Sequence, residues 1–538
     1  MAKEDSKLVV TFSTPTPAAD VKLGDFVKLG KYTVLVGFLC EMMILCQLGN
    51  QLFMMFSGAT PKLIACGTHD LSHFDDKEAC HQLNLIKASN ASEDCVPQLD
   101  TQFDTVNMEW NYYCEGAKSV KHSTSVQMIG VMIGSIVFGQ FSDSFGRKKA
   151  MIIALLGCII SMMATSFTNN LFTFTFARFI VNIFNGGSIA VMLVYCVENL
   201  PKKDRLWINN VVSWAPNYIL YAIVAYFSAD WRTLARVSSL LTIPPLLLLI
   251  FMSESAQFLA QKGKLDEAQA VIERMYKING HKCDTVLLKQ TLNREKESFE
   301  AKQSAGKTYS FLHLFYTWKF ATFTIVLAFG YFVTSIVNYG IVYNMEKVSG
   351  SIYVNAILIG VIRYSLNLVM AFLDFKFTRI GRKLIHMGAW IEICLACFAT
   401  FLVYATQTEK QFSGLIRICS VSIVAVSAQL YITNGIVSGE LFPTSIRNLS
   451  YSHCQFWTRV GVVISPQLFL LNDFWKPLPY IAMGCLGMLD AILFQTAIPE
   501  TKGCQLVESM PTEDERIGCR RRKNVAQQKA ELEKLNSV

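Results

Sequence analysis

Charge is scarce in this chain: of 538 residues only 17% are Asp, Glu, Lys or Arg, while 52% are hydrophobic. That balance leaves too little polar surface to solvate a soluble protein of this length. Catalytic signatures are missing too. There is no His-Glu-x-x-His pair, no metal-spaced set of Cys and His and no Gly-x-Ser-x-Gly elbow, which argues against zinc and serine-hydrolase chemistry. The chain is read as no enzyme, and neither metal nor cofactor is expected. Cys394 and Cys397 share a two-residue gap but lie in an apolar run, where they read as packing residues. Ala305-Gly306-Lys307-Thr308 has Ala301 in place of the leading glycine and no strand before it, so it is a chance likeness to a phosphate loop. No cleavable leader is expected either, because the opening stretch is polar and contains Pro15 and Pro17.

Long apolar runs are abundant instead. Crossing about 30 Å of hydrocarbon takes about 20 residues of helix, and twelve such runs are read. The first half holds Thr33–Phe56, Val126–Phe141, Ala150–Phe167, Leu171–Cys196, Ile208–Phe227 and Leu234–Met252; the second holds Phe320–Val342, Ile352–Phe375, Leu384–Thr406, Phe412–Val437, Leu449–Leu471 and Leu478–Ile498. The expected organisation is an N-terminal segment 1–31, a six-helix bundle 32–252 with a polar loop 57–123, a helical segment 253–318, a second six-helix bundle 319–500 and a tail 501–538. In the linking segment Leu265, Ala268, Val271, Ile272 and Met275 recur at helical spacing, predicting two or three short amphipathic helices.

Lys and Arg set the orientation. Arg147 to Lys149, Lys202, Lys203 and Arg205, Lys376 to Lys383, and Arg520 to Lys523 all fall on one side, which places both termini in the cytoplasm. The formal net charge of +8 then reflects orientation and contact with anionic membrane lipid rather than nucleic-acid binding. Of 16 cysteines, Cys66, Cys80, Cys95 and Cys114 lie in the first polar loop. An even set on the extracellular side implies two disulfides, with three pairings open. The same loop offers Asn90-Ala91-Ser92 as a glycosylation acceptor.

The two halves share punctuation. Glu198, Pro201 and Arg205 follow the fourth run, and Glu440, Pro443 and Arg447 follow the tenth at the same spacings. Gly146-Arg147-Lys148 recurs as Gly381-Arg382-Lys383, Glu254 as Glu500, and Arg178 as Arg417 with a slip. A parallel repeat of this kind builds two bundles about an axis along the membrane normal, with a cavity between them. Arg–carboxylate pairs at helix ends can latch the cytoplasmic ends together; the alternative is that these charges only set topology.

With these residues in hand the sequence resembles a known family. Gly139, Asp143, Gly146, Arg147 and Lys148 look like the loop signature of the major facilitator superfamily. Glu109-Trp110-Asn111 with Cys114, Asp230-Trp231-Arg232-Thr233-Leu234, Tyr339-Gly340, Glu440-Leu441-Phe442-Pro443-Thr444 and Pro499-Glu500-Thr501-Lys502-Gly503 resemble its organic cation/anion transporter branch. The resemblance implies an all-α membrane fold of twelve helices in two pseudo-symmetric bundles, a plasma-membrane location and alternating-access transport of small organic ions. The chain departs from the family pattern at Ala256-Gln257, at Thr378 where the first half has Asp143, and at Arg363 and Asp374 within the eighth run.

An ionisable side chain inside a span needs a cavity or a partner. Arg459, in the eleventh run, matches a family position that faces the cavity and resembles a charge selector. A guanidinium there binds a carboxylate and repels a cation, so organic anions or carboxylate-bearing zwitterions are favoured over cations. The competing reading is a salt bridge from Arg459 to Glu41, Glu392 or Asp490. Tyr218, Tyr221, Tyr339 and Tyr343 are candidate aromatic walls, with Asn338 from the resemblance and Gln51 as a hydrogen-bonding group. The gating set is Gly139, Asp143, Gly146, Arg147, Arg178, Glu198, Arg205, Glu254, Gly381, Arg382, Glu440, Arg447 and Glu500. Two alternatives stay open: an organic cation carrier, and a membrane receptor that binds an organic ligand without moving it. Substrate identity, coupling ion and oligomeric state are not set by sequence.

Overall fold

The computed structural model describes residues 22–67, 69–74, 76–88, 95–201, 208, 211–304, 310–377, 380–443, 445–502, 510–511 and 516–517. Asn90, Arg205, Thr378, the phosphate-loop-like 305–308 and most of both terminal segments lie outside the described residues.

Helix α1 (Lys31–Ser57) leads into a small disulfide-bonded unit made of β1 (Lys62–Cys66), β2 (His69–Asp70), α2 (Asp76–Ala88) and β3 (Pro97–Asp100). The strands form one antiparallel sheet in the order β2-β1-β3. Of the three possible disulfide pairings the structure has Cys66–Cys95 and Cys80–Cys114, around a core of Leu63, Leu71, Ala79 and Leu83. A unit this small buries little apolar surface, so the cross-links supply what its core lacks.

The first bundle continues with α3 (Ala117–Phe145), α4 (Arg147–Thr165), α5 (Leu171–Asn199), α6 (Trp214–Ser228), α7 (Trp231–Leu241) and α8 (Ile243–Phe251). Helix α3 starts nine residues before the predicted run, because polar residues such as Lys121 and Thr124 are buried rather than left in the loop. Side-chain caps start several helices. Asn170 accepts the Thr173 N–H at 2.8 Å for α5, and Asp230 accepts the Thr233 N–H at 2.8 Å for α7. The sixth run divides at Thr242, where Pro244 and Pro245 lack the N–H that would continue the ladder and instead open α8. Helices α3 and α5 approach so closely that a Cβ at Gly134 would strike the Ile183 carbonyl and one at Gly186 the Val131 carbonyl, the small-residue packing that bilayer helices use.

Three short helices follow, α9 (Ala256–Gln261), α10 (Leu265–Asn279) and α11 (Thr285–Ser304), the upper of the two numbers expected. They pack on the first bundle: Asn279 accepts the Tyr32 N–H at 2.9 Å, and Glu295 accepts the Leu23 N–H at 3.0 Å. The second bundle comprises α12 (Trp318–Val342), α13 (Ile352–Lys376), α14 (Arg382–Ala405), α15 (Ser413–Leu441), α16 (Arg447–Ile464) and α17 (Leu478–Ala497). The bundles meet chiefly along α6 with α13 and α3 with α16.

Among the described residues ten helical segments are long and apolar enough to cross a bilayer, against the twelve runs read from sequence. The fifth and eleventh fall short. Helix α6 has only 15 residues. Helix α16 carries Arg447, His453 and Arg459, then gives way at Ser465-Pro466 to a 3-10 run reaching Asp473. Both still pack within the twelve-helix, two-bundle arrangement.

Candidate substrate site between the bundles

Helix α12 and its C-terminal cap present Tyr339 and Tyr343 to the first bundle, while Asn338 turns into the second. The Tyr339 hydroxyl donates to Gln51 Oε1 at 2.8 Å, joining α12 to α1. The Tyr339 and Tyr343 rings stack with centroids 5.6 Å apart, and the Tyr343 hydroxyl meets Met128 Sδ at 3.3 Å. Arg363, which the sequence marked only as oddly placed, proves central. Its Nη2 donates to Asn338 Oδ1 at 2.8 Å and to the Val424 carbonyl at 2.7 Å, and its guanidinium lies 5.1 Å from the Tyr218 ring centroid. Ser427 Oγ completes the group by donating to Asn338 Oδ1 at 2.9 Å.

Arg459 is half-buried on α16, the helix that packs along α12 through Trp457 on Phe332, ring centroids 6.1 Å apart, and Gly461 against the Phe332 carbonyl. None of the carboxylates offered as salt-bridge partners reaches it. Glu41 accepts from Asn217 at 2.8 Å, Glu392 faces Ser422, and Asp490 accepts from Trp390 Nε1 at 2.7 Å. Neither guanidinium, Arg363 over Tyr218 or Arg459 on α16, is paired by a carboxylate among the described residues.

Two residues expected near this group sit elsewhere. Tyr221 covers Gly49, lies 6.1 Å from the Phe56 ring and meets Ser238 Oγ at 3.3 Å, so its contacts are inside the first bundle. Arg178 belongs to no charge cluster at the helix ends: it is fully buried, donates to the Asn50 carbonyl at 2.7 Å and lies 4.2 Å from the Phe53 ring. Its helix enters from the end that carries the disulfide-bonded loop, which is why it does not meet Glu198 at the far end of α5.

Nine of the other gating residues fall into two matched clusters at the opposite end, where the Gly-Arg-Lys motifs lie. In the first, Arg147 Nη1 pairs with Asp143 at 2.5 Å and Nη2 with Glu198 at 3.5 Å, while Glu254 accepts the Arg147 and Lys148 N–H groups at 3.1 Å each. Gly146 has φ +113°, and a Cβ there would strike the Glu254 carboxylate. In the second, Arg382 Nη1 pairs with Asp374 at 2.6 Å and Nη2 with Glu440 at 3.7 Å, while Glu500 accepts the Arg382 and Lys383 N–H groups at 2.9 and 3.1 Å beside Gly381. Asp374 is therefore the counterpart of Asp143 that the sequence lacked at 378. Burial pushes the Glu500 carboxyl up, but backbone N–H donors from Lys502, Arg382, Lys383 and Thr501 outweigh it and hold it below its ordinary value. Each of these pairs lies within one bundle. Arg447 reaches no carboxylate among the described residues, and Gly139 faces open space one turn before Asp143.

Bonds that do cross between bundles gather at the loop end, and sequence gave no sign of them. Lys121 Nζ pairs with Glu346 at 2.8 Å and donates to the Tyr343 carbonyl at 2.5 Å, with both ionic side chains about 90% buried. Gln467 Nε2 donates to Ser125 at 2.8 Å, Gln102 Oε1 accepts the Ile352 N–H at 2.8 Å, and Phe56 stacks on Tyr353 at 5.7 Å. Lys118 pairs with Asp473 at 2.8 Å and holds that carboxyl below its ordinary range.

Comparison with known proteins agrees with this architecture. The profile of the sugar (and other) transporter family matches residues 94–511. An organic cation transporter protein of Drosophila melanogaster is 29% identical over 468 residues, covering 84% of this chain and 81% of that protein. An organic cation transporter-like protein of the same organism is 28% identical over 476 residues, covering 85% and 81%. In fold, the chain is similar to the inward open conformation of the xylose transporter XylE from E. coli, with a TM-score of 0.62 at 18% identity over 88% of this chain and 97% of that one. The chain is a membrane transporter that belongs to the sugar (and other) transporter family of the major facilitator superfamily and, within it, to the organic cation/anion transporters.

Proposed function

We propose that this transporter carries small organic anions or carboxylate-bearing zwitterions across the plasma membrane by alternating access, with both termini in the cytoplasm. The observation that carries this reading is the half-buried Arg459 guanidinium on α16, which no carboxylate among the described residues pairs, together with Arg363, whose polar partners are all uncharged. A fixed positive group in a low-dielectric pocket attracts a carboxylate through paired, charge-assisted hydrogen bonds, and tyrosine faces accept varied organic bodies. Bridging at the loop end and self-contained clusters at the motif end fit a molecule whose site communicates with the motif side.

The test is uptake into cells or reconstituted vesicles of a small carboxylate, a carnitine-like zwitterion and a quaternary ammonium. Arg459→Ala is expected to lower carboxylate uptake about 10- to 100-fold, the equivalent of about 1.5–3 kcal/mol for hydrogen bonds to a charged group, with surface expression unchanged. Carboxylate uptake that survives the substitution overturns the reading. A cation carrier is the second reading, supported by the names of the relatives; preferential uptake of the quaternary ammonium, unaffected by Arg459→Ala, selects it.

A further inference from the structure

Inside the second bundle, away from Tyr339 and Arg459 in the bonding just described, lies a group of polar side chains with no assigned role. Asp490 on α17 is fully buried. One of its oxygens, Oδ2, accepts from Trp390 Nε1 at 2.7 Å and lies 3.3 Å from His386 Nε2, off the hydrogen-bond axis. The other, Oδ1, has no partner, and neither have Asn434 Oδ1, Asn434 Nδ2 and His386 Nδ1, all buried. Asp490 and Asn434 converge over Gly330 of α12: a Cβ on that glycine would lie 3.0 Å from Asp490 Oδ1 and 3.2 Å from Asn434 Nδ2.

Charge accounting around this group is short. Helix α12 brings no charged residue beyond Lys319 at its start, its ionisable neighbour there being Tyr331; α15 has none between Arg417 and Glu440, with Tyr431 between; α17 adds Tyr480 and Cys485. On α14, Arg382 is held by Asp374 and Glu440, Lys383 by the Gln495 carbonyl, and Glu392 faces Ser422. His386 is fully buried and stacks on Phe494 at 3.7 Å. A lone carboxylate in such surroundings is costly unless a positive charge joins it, and among the described residues no Lys or Arg is placed to do so.

We infer that Asp490, Asn434 and His386 form a binding site for one monovalent cation, a proton or a sodium ion, enclosed in the second bundle. A proton is held on His386 against Asp490; a sodium ion is held between Asp490 Oδ1 and the Asn434 amide oxygen with His386 neutral, the amide turning so that Oδ1 takes the place of the Nδ2 that faces Gly330 here. The site abuts both helices that also carry the substrate group. Gly330 stands eight residues before Asn338 on α12, and Asn434 seven residues after Ser427 on α15.

Trp390 reports on the site directly, since its indole N–H bonds to Asp490, so occupancy is read without any organic substrate. The full chain, purified and reconstituted, is titrated by tryptophan fluorescence with sodium at fixed pH and with acid at fixed sodium, and the Trp390→Phe signal is subtracted. A saturable response to one of the two ions is expected, abolished in Asp490→Asn and retained in Glu392→Gln. His386→Gln distinguishes the ions: it removes a proton response and leaves a sodium response. Wild-type protein that responds to neither ion overturns the inference, whether or not Asp490→Asn folds, as does a response that persists unchanged in Asp490→Asn.

Discussion

The two ends of the molecule handle charge differently. At the motif end, Asp143, Arg147, Glu198 and Glu254 bind one another within the first bundle, and Asp374, Arg382, Glu440 and Glu500 do the same within the second. At the loop end, Lys121–Glu346, Lys118–Asp473 and the Gln467 and Gln102 hydrogen bonds run from one bundle to the other. The difference separates bracing from gating. A cluster confined to one bundle is carried along when the bundles rock, so it stabilises the bundle in every state. A bond between bundles must break whenever its end opens, so it biases the equilibrium between states.

The largest expected effect lies on the bracing side. Arg147 is the more enclosed of the two motif arginines, with 8% of its side chain exposed against 13% for Arg382. Removing it strands the nearly buried Glu198 carboxylate. Arg147→Ala should cost about 3–5 kcal/mol, the usual consequence of breaking a buried pair from one side. Arg382→Ala should cost less, because Lys502 remains 2.9 Å from Asp374. Thermal unfolding of the purified variants checks the order, and equal losses would remove the distinction between the clusters.

On the gating side, Lys121→Ala or Glu346→Ala should change conformation as well as stability, because the lone buried charge left behind is hydrated when the loop end opens. Loss of this pair is expected to favour opening at the loop end about 10-fold or more, the range of about 1.4 kcal/mol upward. Labelling of a cysteine placed at Tyr339 by a membrane-impermeant thiol reagent from the loop side measures this. The exchanged pair, Lys121→Glu with Glu346→Lys, should restore wild-type labelling. Labelling that is already maximal in the wild type, or unaltered in the single variants, would show that the pair does not hold the loop end shut.

How much of this could be read from sequence follows the same division. The motif clusters were legible because duplication repeats them at matching spacings, so Glu198 with Glu440 and Glu254 with Glu500 stood out. Asp374 did not, since it precedes Arg382 by eight residues where Asp143 precedes Arg147 by four, and only the fold equates the two. Bonds between bundles left no trace because Lys121 and Glu346 share no repeat and lie far apart in the chain. Within the site, Tyr218 and Tyr221 are about one turn apart on α6, so spacing cannot part them. Because α6 packs between α1 and α13, Tyr221 turns to Gly49 and Tyr218 to Arg363. The Arg363–Asn338 bond joins two helices, so nothing local to either segment announces it.

A smaller effect comes from the glycines that let carboxylates close on the motif backbones. A side chain at either Gly146 or Gly381 would strike its carboxylate, but only Gly146 also has a positive φ, +113°, while Gly381 has φ −87°. Gly146→Ala should therefore be the costlier change by about 1–3 kcal/mol, the strain of a backbone region nearly restricted to glycine. Comparison of the two melting temperatures tests this, and a Gly381→Ala variant no more stable than Gly146→Ala would mean that carboxylate displacement outweighs backbone strain.

The smallest effect separates the ends by the kind of bond that holds a carboxylate. Both Glu500 at the motif end and Asp473 at the loop end are held below their ordinary values of 4.5 and 3.8. A depressed native pKa contributes stability that is complete above the ordinary value and is lost as pH falls through the lower native one, so both contributions fade in acid, below those two values. Glu500 is held by backbone N–H groups, whereas Asp473 is held first by Lys118, in a pair whose side chains are 45% and 41% exposed. Salt screens an exposed ion pair and leaves short backbone hydrogen bonds nearly intact. Melting curves across this acid range at low and high salt should show the Asp473 contribution shrinking with salt and the Glu500 contribution unchanged. Glu500→Gln should remove the salt-insensitive part of the acid loss, because its amide cannot titrate; an acid loss that is wholly salt-sensitive in the wild type would mean that the backbone donors contribute nothing to the acid response.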